Sequence, residues 1–153
     1  MESTAKPSRL KLELTESVVF ENVDEAIGKM QALKLLGVEF SMDDFGTGHS
    51  SLSYLKRLPL SQVKIDCSFV RDVSTDPNDA AIVNTIIAMS QTLGLNVIAE
   101  GVENNTQREF PYHHGCHVFQ GYLFGRPVPL YQFEVNVKNS LREFQENPSY
   151  SCS

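Results

Sequence analysis

Asp43-Asp44-Phe45-Gly46-Thr47-Gly48 concentrates more chemistry than any other stretch of this sequence. Two adjacent carboxylates repel unless a cation lies between them, which points to a hard divalent ion, or to a pair of ions bridged by Asp43. The preceding Val38-Glu39-Phe40-Ser41-Met42 alternates as a β-strand does. Neighbouring strand residues face opposite ways, so both carboxylates can aim at one point only where the pleat breaks. Gly46 and Gly48 predict a sharp turn that would break it there. An acidic β-turn leading into a helix cap produces the same hexapeptide, so the other strands must decide.

They repeat one device. Glu13, Asp43 with Asp44, Lys64, Glu100 and Gln120 all fall at or near the C-terminal end of a predicted strand. That edge is where α/β sheets and barrels build their sites. Glu13 lies on the polar face of its strand, opposite Leu10, Leu12 and Leu14, and reads either as a cavity residue or as a rim carboxylate paired with Lys11. Lys64, between Val63 and Ile65, reads equally as a structural ion pair or as the group that holds a water or accepts its proton. Glu100 ends the apolar run Val97-Ile98-Ala99, a ligand's position. Gln120 supplies an amide able to orient a substrate or a water. Glu16 and Glu103 read as loop supports. Phe45 and Tyr122 read as core aromatics. His49, His113, His114 and His117 have no spacing that brings them to one metal.

The elements that must position these groups alternate. Strands are predicted over Leu10–Thr15, Val38–Asp44, Gln62–Asp66, Asn96–Gly101 and Val118–Phe124. Asn22 with Glu25 caps a first helix that Gly37 stops. Ser51–Leu58 predicts a short helix ended by Pro59. Asp76-Pro77 opens a helix with Ala80, Val83, Ile86, Ile87 and Ser90 on one side, and Leu93-Gly94 closes it. Thr106 with Glu109 predicts a capping box before a helix ending near Gly115, and Pro127 and Pro129 introduce a last short one. Five alternations of strand and helix call for parallel strands with covering helices. Residues 1–8 read as a loose leader and 9–137 as one domain. Residues 138–153 read as a polar tail, with a helical turn or two and then disorder.

The totals agree with that scheme. The chain has 153 residues, 41% of them hydrophobic, enough for one domain with a real core. A net charge of -6 and scattered basic residues argue against a DNA or RNA partner. Cys67, Cys116 and Cys152 form no CxxC pair and fit a reducing compartment rather than a disulfide framework or zinc site. No signal-peptide core and no membrane-length apolar run is evident, so the expected location is cytoplasmic.

Five segments, taken together, resemble the EAL domain family. They are Glu13-Leu14-Thr15-Glu16, Asp43-Asp44-Phe45-Gly46-Thr47-Gly48, Lys64-Ile65-Asp66, Glu100-Gly101-Val102-Glu103 and Gln120-Gly121-Tyr122-Leu123-Phe124-Gly125-Arg126-Pro127. They occur in the family's order over roughly Leu10 to Val137. Members of that family are bacterial signalling domains that hydrolyse cyclic di-GMP to linear pGpG with Mg²⁺ or Mn²⁺. The resemblance implies an α/β fold, a partial TIM-type (β/α) barrel of about five parallel strands, from a family barrel in which one strand is reversed. It implies Glu13 and Asp43 as ligands of a first metal, and Asp43, Asp44 and Glu100 as ligands of a second. Lys64 would hold the attacking water, with Gln120 in support. Glu16 would anchor a loop containing Phe45, Gly46, Thr47 and Gly48. Asp66 and Glu103 would stand behind the ligands, and Gln120, Gly121, Arg126 and Pro127 would contact substrate.

The departures shape the expectation. The family's Glu-Ala-Leu motif, its nearby phosphate-binding arginine and the asparagine that completes the first metal site lie upstream of the first matched segment. His49 stands where tyrosine is usual, and Cys67 where a basic residue often follows Lys-Ile-Asp. A full barrel takes about 250 residues, so this chain reads as the C-terminal portion of the domain, with weak or absent hydrolysis alone. A non-catalytic binding or interaction module and a functionless remnant are the alternatives. An opened barrel exposes strand edges at Leu10–Leu14 and Val118–Phe124, which predicts self-association or pairing with the missing half.

Overall fold

The computed structural model describes residues 6–15, 22–47 and 55–146. Glu16, Gly48, His49, Cys152 and most of the helix predicted over Ser51–Leu58 lie outside them. After a 3₁₀ turn at Pro7–Arg9, the strands are β1 (Lys11–Thr15), β2 (Glu39–Phe45), β3 (Gln62–Ile65), β4 (Asn96–Ala99) and β5 (Val118–Phe119). They form a single sheet in sequence order, every neighbouring pair parallel. A parallel sheet wound in one direction, without a reversal of strand order, is barrel-type winding rather than the doubly wound kind.

The helices are α1 (Val23–Leu35), α2 (Cys67–Arg71), α3 (Pro77–Thr92), α4 (Asn105–His113) and α5 (Leu130–Glu146). Two caps fall where the sequence places them. The Asn22 carboxamide accepts from the Glu25 amide N–H and donates to its carboxylate, and Asp76 accepts from the Asn78 N–H at 2.7 Å. The third falls elsewhere. α4 starts two residues before the predicted box, because Asn104 accepts from the Gln107 N–H at 3.0 Å. α2 was not foreseen; Asp66 caps it by accepting from the Ser68 N–H at 2.9 Å. The last helix is far longer than the short element expected, because Leu130, Phe133, Val137 and Leu141 recur at helical spacing through a stretch that reads as polar overall.

Register sorts the side chains by face. Met42, Val63 and Val97 are in line across three strands, as are Phe45, Ile65 and Ala99. These six are buried, with Val83, Ile86 and Ile87 of α3 in the same core. The opposite face carries Lys11, Glu13, Ser41, Asp43, Gln62 and Lys64. With both faces of β3 covered, all four of its residues are buried. No described helix is long and apolar enough to cross a membrane.

Candidate functional site

Lys64 is the hub. Its ammonium lies 3.0 Å from Glu13 Oε2, 2.9 Å from Asp43 Oδ1 and 2.9 Å from Glu100 Oε1, and its side chain is only 6% exposed. β1 supplies Glu13, β2 Asp43 and the end of β4 Glu100, so three strands converge on a lysine from a fourth. Of the two readings open to Glu13 in the sequence, a cavity residue or a rim partner of Lys11, the structure has the inward one. Lys11 goes instead to Glu39 at 3.2 Å and to the Gln62 carboxamide oxygen at 2.8 Å.

Asp44 joins through a bulge. Met42 is in register with Val63 and Phe45 with Ile65, so two residues of β2, Asp43 and Asp44, stand opposite Lys64 alone. Asp44 absorbs the extra residue with φ of 50°, in the left-handed region. The pleat therefore breaks inside the strand, at the second aspartate, rather than at the glycines after it. Gly46, at φ 102°, makes the turn that follows, and its missing side chain admits the Phe69 ring. The Thr47 hydroxyl donates to the Asp44 carbonyl at 2.9 Å, and Phe45 is buried in the core.

Asp43, Asp44 and Glu100 each offer an oxygen within 4.8 Å of the others. All-oxygen carboxylate donors suit a hard divalent cation. The Asp43 oxygen that faces Lys64 is buried, 2.9 Å from the ammonium. The residues present therefore fit a metal. Burial raises the Glu100 pKa against the opposing pull of Lys64. Asp44 is raised by burial first, then by the charges of Asp43 and Asp66. Burial opposes the Lys64 ammonium, yet Glu100, Asp43 and Glu13 together outweigh it and hold the pKa above the ordinary lysine range. Asp66 also resists burial, but its hydrogen bonds from Ser68 keep its carboxyl below the usual range.

The Gln120 backbone is pinned, its N–H donating to the Ala99 carbonyl at 2.9 Å and its carbonyl accepting from the Val102 N–H at 3.1 Å. Its side chain borders a cleft of about 410 Å³ with Cys67, Arg71, Gly101, Glu103, Gly121 and Tyr122. Gly121 is there because a Cβ would lie 2.1 Å from the Val102 carbonyl oxygen. That packing ends β5 at Phe119, well short of the strand predicted to Phe124. The Glu103 N–H donates to Gln107, which in turn donates to the Arg71 carbonyl. Tyr122 is half exposed rather than in the core, with the Arg126 guanidinium 4.2 Å over its ring, and Pro127 is exposed beyond it. The described histidines are engaged elsewhere: His114 stacks on Phe110, and His113 and His117 meet Tyr112 edge-on. Cys67 and Cys116 are free thiols.

A parallel sheet wound in sequence order, with acidic residues gathered at the C-terminal ends of its strands around one lysine, defines a barrel-type α/β domain with a cation-ready centre. Residues 1–127 match the EAL domain, and the chain belongs to that family. It is 48% identical over 132 residues to the bifunctional diguanylate cyclase/cyclic di-GMP phosphodiesterase MucR of Pseudomonas aeruginosa, covering 86% of this chain and 19% of MucR. The PaMucR phosphodiesterase structure, a c-di-GMP complex, superposes with a TM-score of 0.80 at 48% identity, covering 84% of this chain and 52% of that one. Klebsiella pneumoniae BlrP1, in a manganese/cyclic di-GMP complex, gives a TM-score of 0.75 at 35% identity, covering 80% of this chain and 31% of that one. The chain thus spans about half of the PaMucR structure, and its sheet corresponds to part of a barrel.

Proposed function

We propose that this chain supplies the metal-binding edge of a cyclic di-GMP phosphodiesterase site. The observation that carries the reading is the convergence of Asp43, Asp44 and Glu100 oxygens beside the buried Lys64 ammonium. Asp43, Asp44 and Glu100 would hold one Mg²⁺ or Mn²⁺, and Glu13 with Asp43 would contribute to a second. Cations held there polarise a phosphodiester and lower the pKa of a bound water.

The chain's own residues divide the remaining work. The Lys64 ammonium would hold the attacking water by hydrogen bonding beside these carboxylates. Glu13 restrains that ammonium from the far side. Gln120 and Gly121, with Arg126 and Pro127 beyond, border the surface on which substrate would lie. Attack of water oxygen on one phosphorus, with departure of the 3′ oxygen, opens the ring to pGpG. Glu16 would anchor the loop containing Phe45, Gly46, Thr47 and Gly48, and Asp66 and Glu103 would stand behind the ligands. Because the chain spans about half of the PaMucR structure, hydrolysis by it alone is expected to be weak and to rise when the complementary part of a barrel, or a second copy, closes the sheet.

The test is pGpG formation from cyclic di-GMP by size-fractionated protein with Mn²⁺, beside Asp43→Asn. Product that disappears in the variant supports the reading. Cyclic di-GMP binding without product from folded protein would instead make this a binding module.

A further inference from the structure

Beneath the carboxylate–lysine centre lies a second polar layer that no role above uses. The Lys11 ammonium donates to Gln62 Oε1 at 2.8 Å, and Gln62 Nε2 donates to Ser41 Oγ at 3.2 Å. Ser41 is fully buried and Gln62 is 6% exposed. Lysine only donates, so the carboxamide oxygen faces Lys11, and the nitrogen is left to donate to Ser41, whose hydroxyl can accept. Buried polar groups cost stability unless paired, and apolar side chains would fill this space at less cost. What a hydrogen-bonded layer adds is a defined distance.

The distance in question spans two strands. Lys11 sits two residues before Glu13 on β1, and Gln62 two residues before Lys64 on β3. Lys11 to Gln62 and Glu13 to Lys64 are therefore parallel rungs, both crossing over β2 with the same diagonal offset. In the described sheet β1 pairs with β2 alone, so curvature across β2 decides whether Glu13 reaches Lys64. We propose that Lys11 and Gln62 are positioning residues: their rung sets the span from β1 to β3 that lets Glu13 hold the Lys64 ammonium in place. Glu39, in register with Lys11 on β2 and 3.2 Å from its ammonium, keeps that ammonium on the rung. The inference rests on the metal-site reading, since the effect is to be read in cation affinity.

The experiment is Mn²⁺ titration of the full chain by calorimetry, for the parent, Lys11→Met, Lys11→Arg, Glu13→Gln, the Lys11→Met/Glu13→Gln double variant, and Asp43→Asn. Lys11→Met is expected to weaken Mn²⁺ about tenfold, the usual scale for a group that orients a ligand. Lys11→Arg, which keeps a donor, is expected to restore most of it. In the Glu13→Gln background, Lys11→Met should change little, because the rung acts through Glu13. An equal loss in both backgrounds, or none in the parent, overturns the proposal. If Asp43→Asn leaves Mn²⁺ affinity unchanged, the metal-site reading fails and the positioning role falls with it. Loss in Asp43→Asn with none in Lys11→Met removes the positioning role alone.

Discussion

Asp43 and Asp44 are consecutive residues of one strand, yet both offer an oxygen to the same point, within 4.8 Å of each other and of Glu100. A regular strand would send them to opposite faces. The single extra residue opposite Lys64, taken up at Asp44 in a left-handed conformation, is what turns the second carboxylate back toward the first. Two like charges are brought together at the cost of backbone strain, as the proposed cation site requires.

Stability and binding should therefore move in opposite directions at this position. Asp44→Gly removes left-handed strain of about 1 kcal/mol together with a like charge beside Asp43. Metal-free protein should melt at a higher temperature while Mn²⁺ affinity falls. Thermal melts with and without Mn²⁺ check both signs, and a variant that is less stable and still binds would refute the account.

Removing the hub exposes the same logic from the cation's side. Lys64→Met leaves Asp43 and Glu100 carboxylates shielded from water without their counter-charge, and breaking such a pair costs about 3 kcal/mol. A divalent ion can replace the lost charge. The variant should be markedly destabilised without metal and should gain more from added Mn²⁺ than the parent does. Equal metal-induced shifts in melting temperature would show that Lys64 and the cation do not share these carboxylates.

Acidity should gate the same site. Glu100 and Asp44 have raised pKa values, each chiefly through burial, so the fold binds their protons more tightly than the unfolded chain does. The metal-free protein accordingly loses stability as pH rises from the ordinary carboxylate pKa through the raised one. Asp66 runs the other way: its contribution is present above the ordinary value and lost as pH falls through its depressed pKa. Metal binds the deprotonated carboxylates, so stabilisation by Mn²⁺ should grow as pH rises through the raised carboxylate pKa values. Glu100→Gln should flatten that rise. A Mn²⁺ effect independent of pH in the parent would count against the assignment.

Gly121 offers a test away from the charges. A Cβ there would meet the Val102 nitrogen at 2.3 Å and its carbonyl oxygen at 2.1 Å, both backbone atoms with little room to yield. Gly121→Ala should cost about 2 kcal/mol in urea unfolding. It should also disturb the Gln120 backbone contacts to Ala99 and Val102, and with them any binding of cyclic di-GMP. Parent-like unfolding would mean the loop relaxes more easily than this packing allows.

Much of this was legible in the chain itself. Alternating patterns and one apolar run located the strands, and side-chain oxygens at Asn22 and Asp76 marked two helix starts, because these signals are local. The placement of Glu13, Asp43, Asp44, Lys64 and Glu100 at C-terminal strand ends was legible for the same reason. Boundaries set by packing were not. β5 stops at Phe119 because Gly121 lies against Val102, a contact between segments far apart in sequence. Tyr122 looks like a core aromatic, but no described element covers it, and Arg126 lies over its ring instead. The cap on α4 is Asn104 rather than Thr106, a choice among neighbouring polar residues that a sequence pattern resolves poorly.

The sequence by itself determined which groups are present and on which strands they stand: six acidic, basic and amide residues, a family signature, and an alternating α/β order. The tertiary structure decided how they meet. Whether Glu13 pairs with Lys11 or Lys64 depends on curvature across β2, and whether Asp44 joins Asp43 depends on one unpaired residue in the ladder. Both are properties of strands in register, and register is fixed only when the apolar face carrying Met42, Val63 and Val97 is buried.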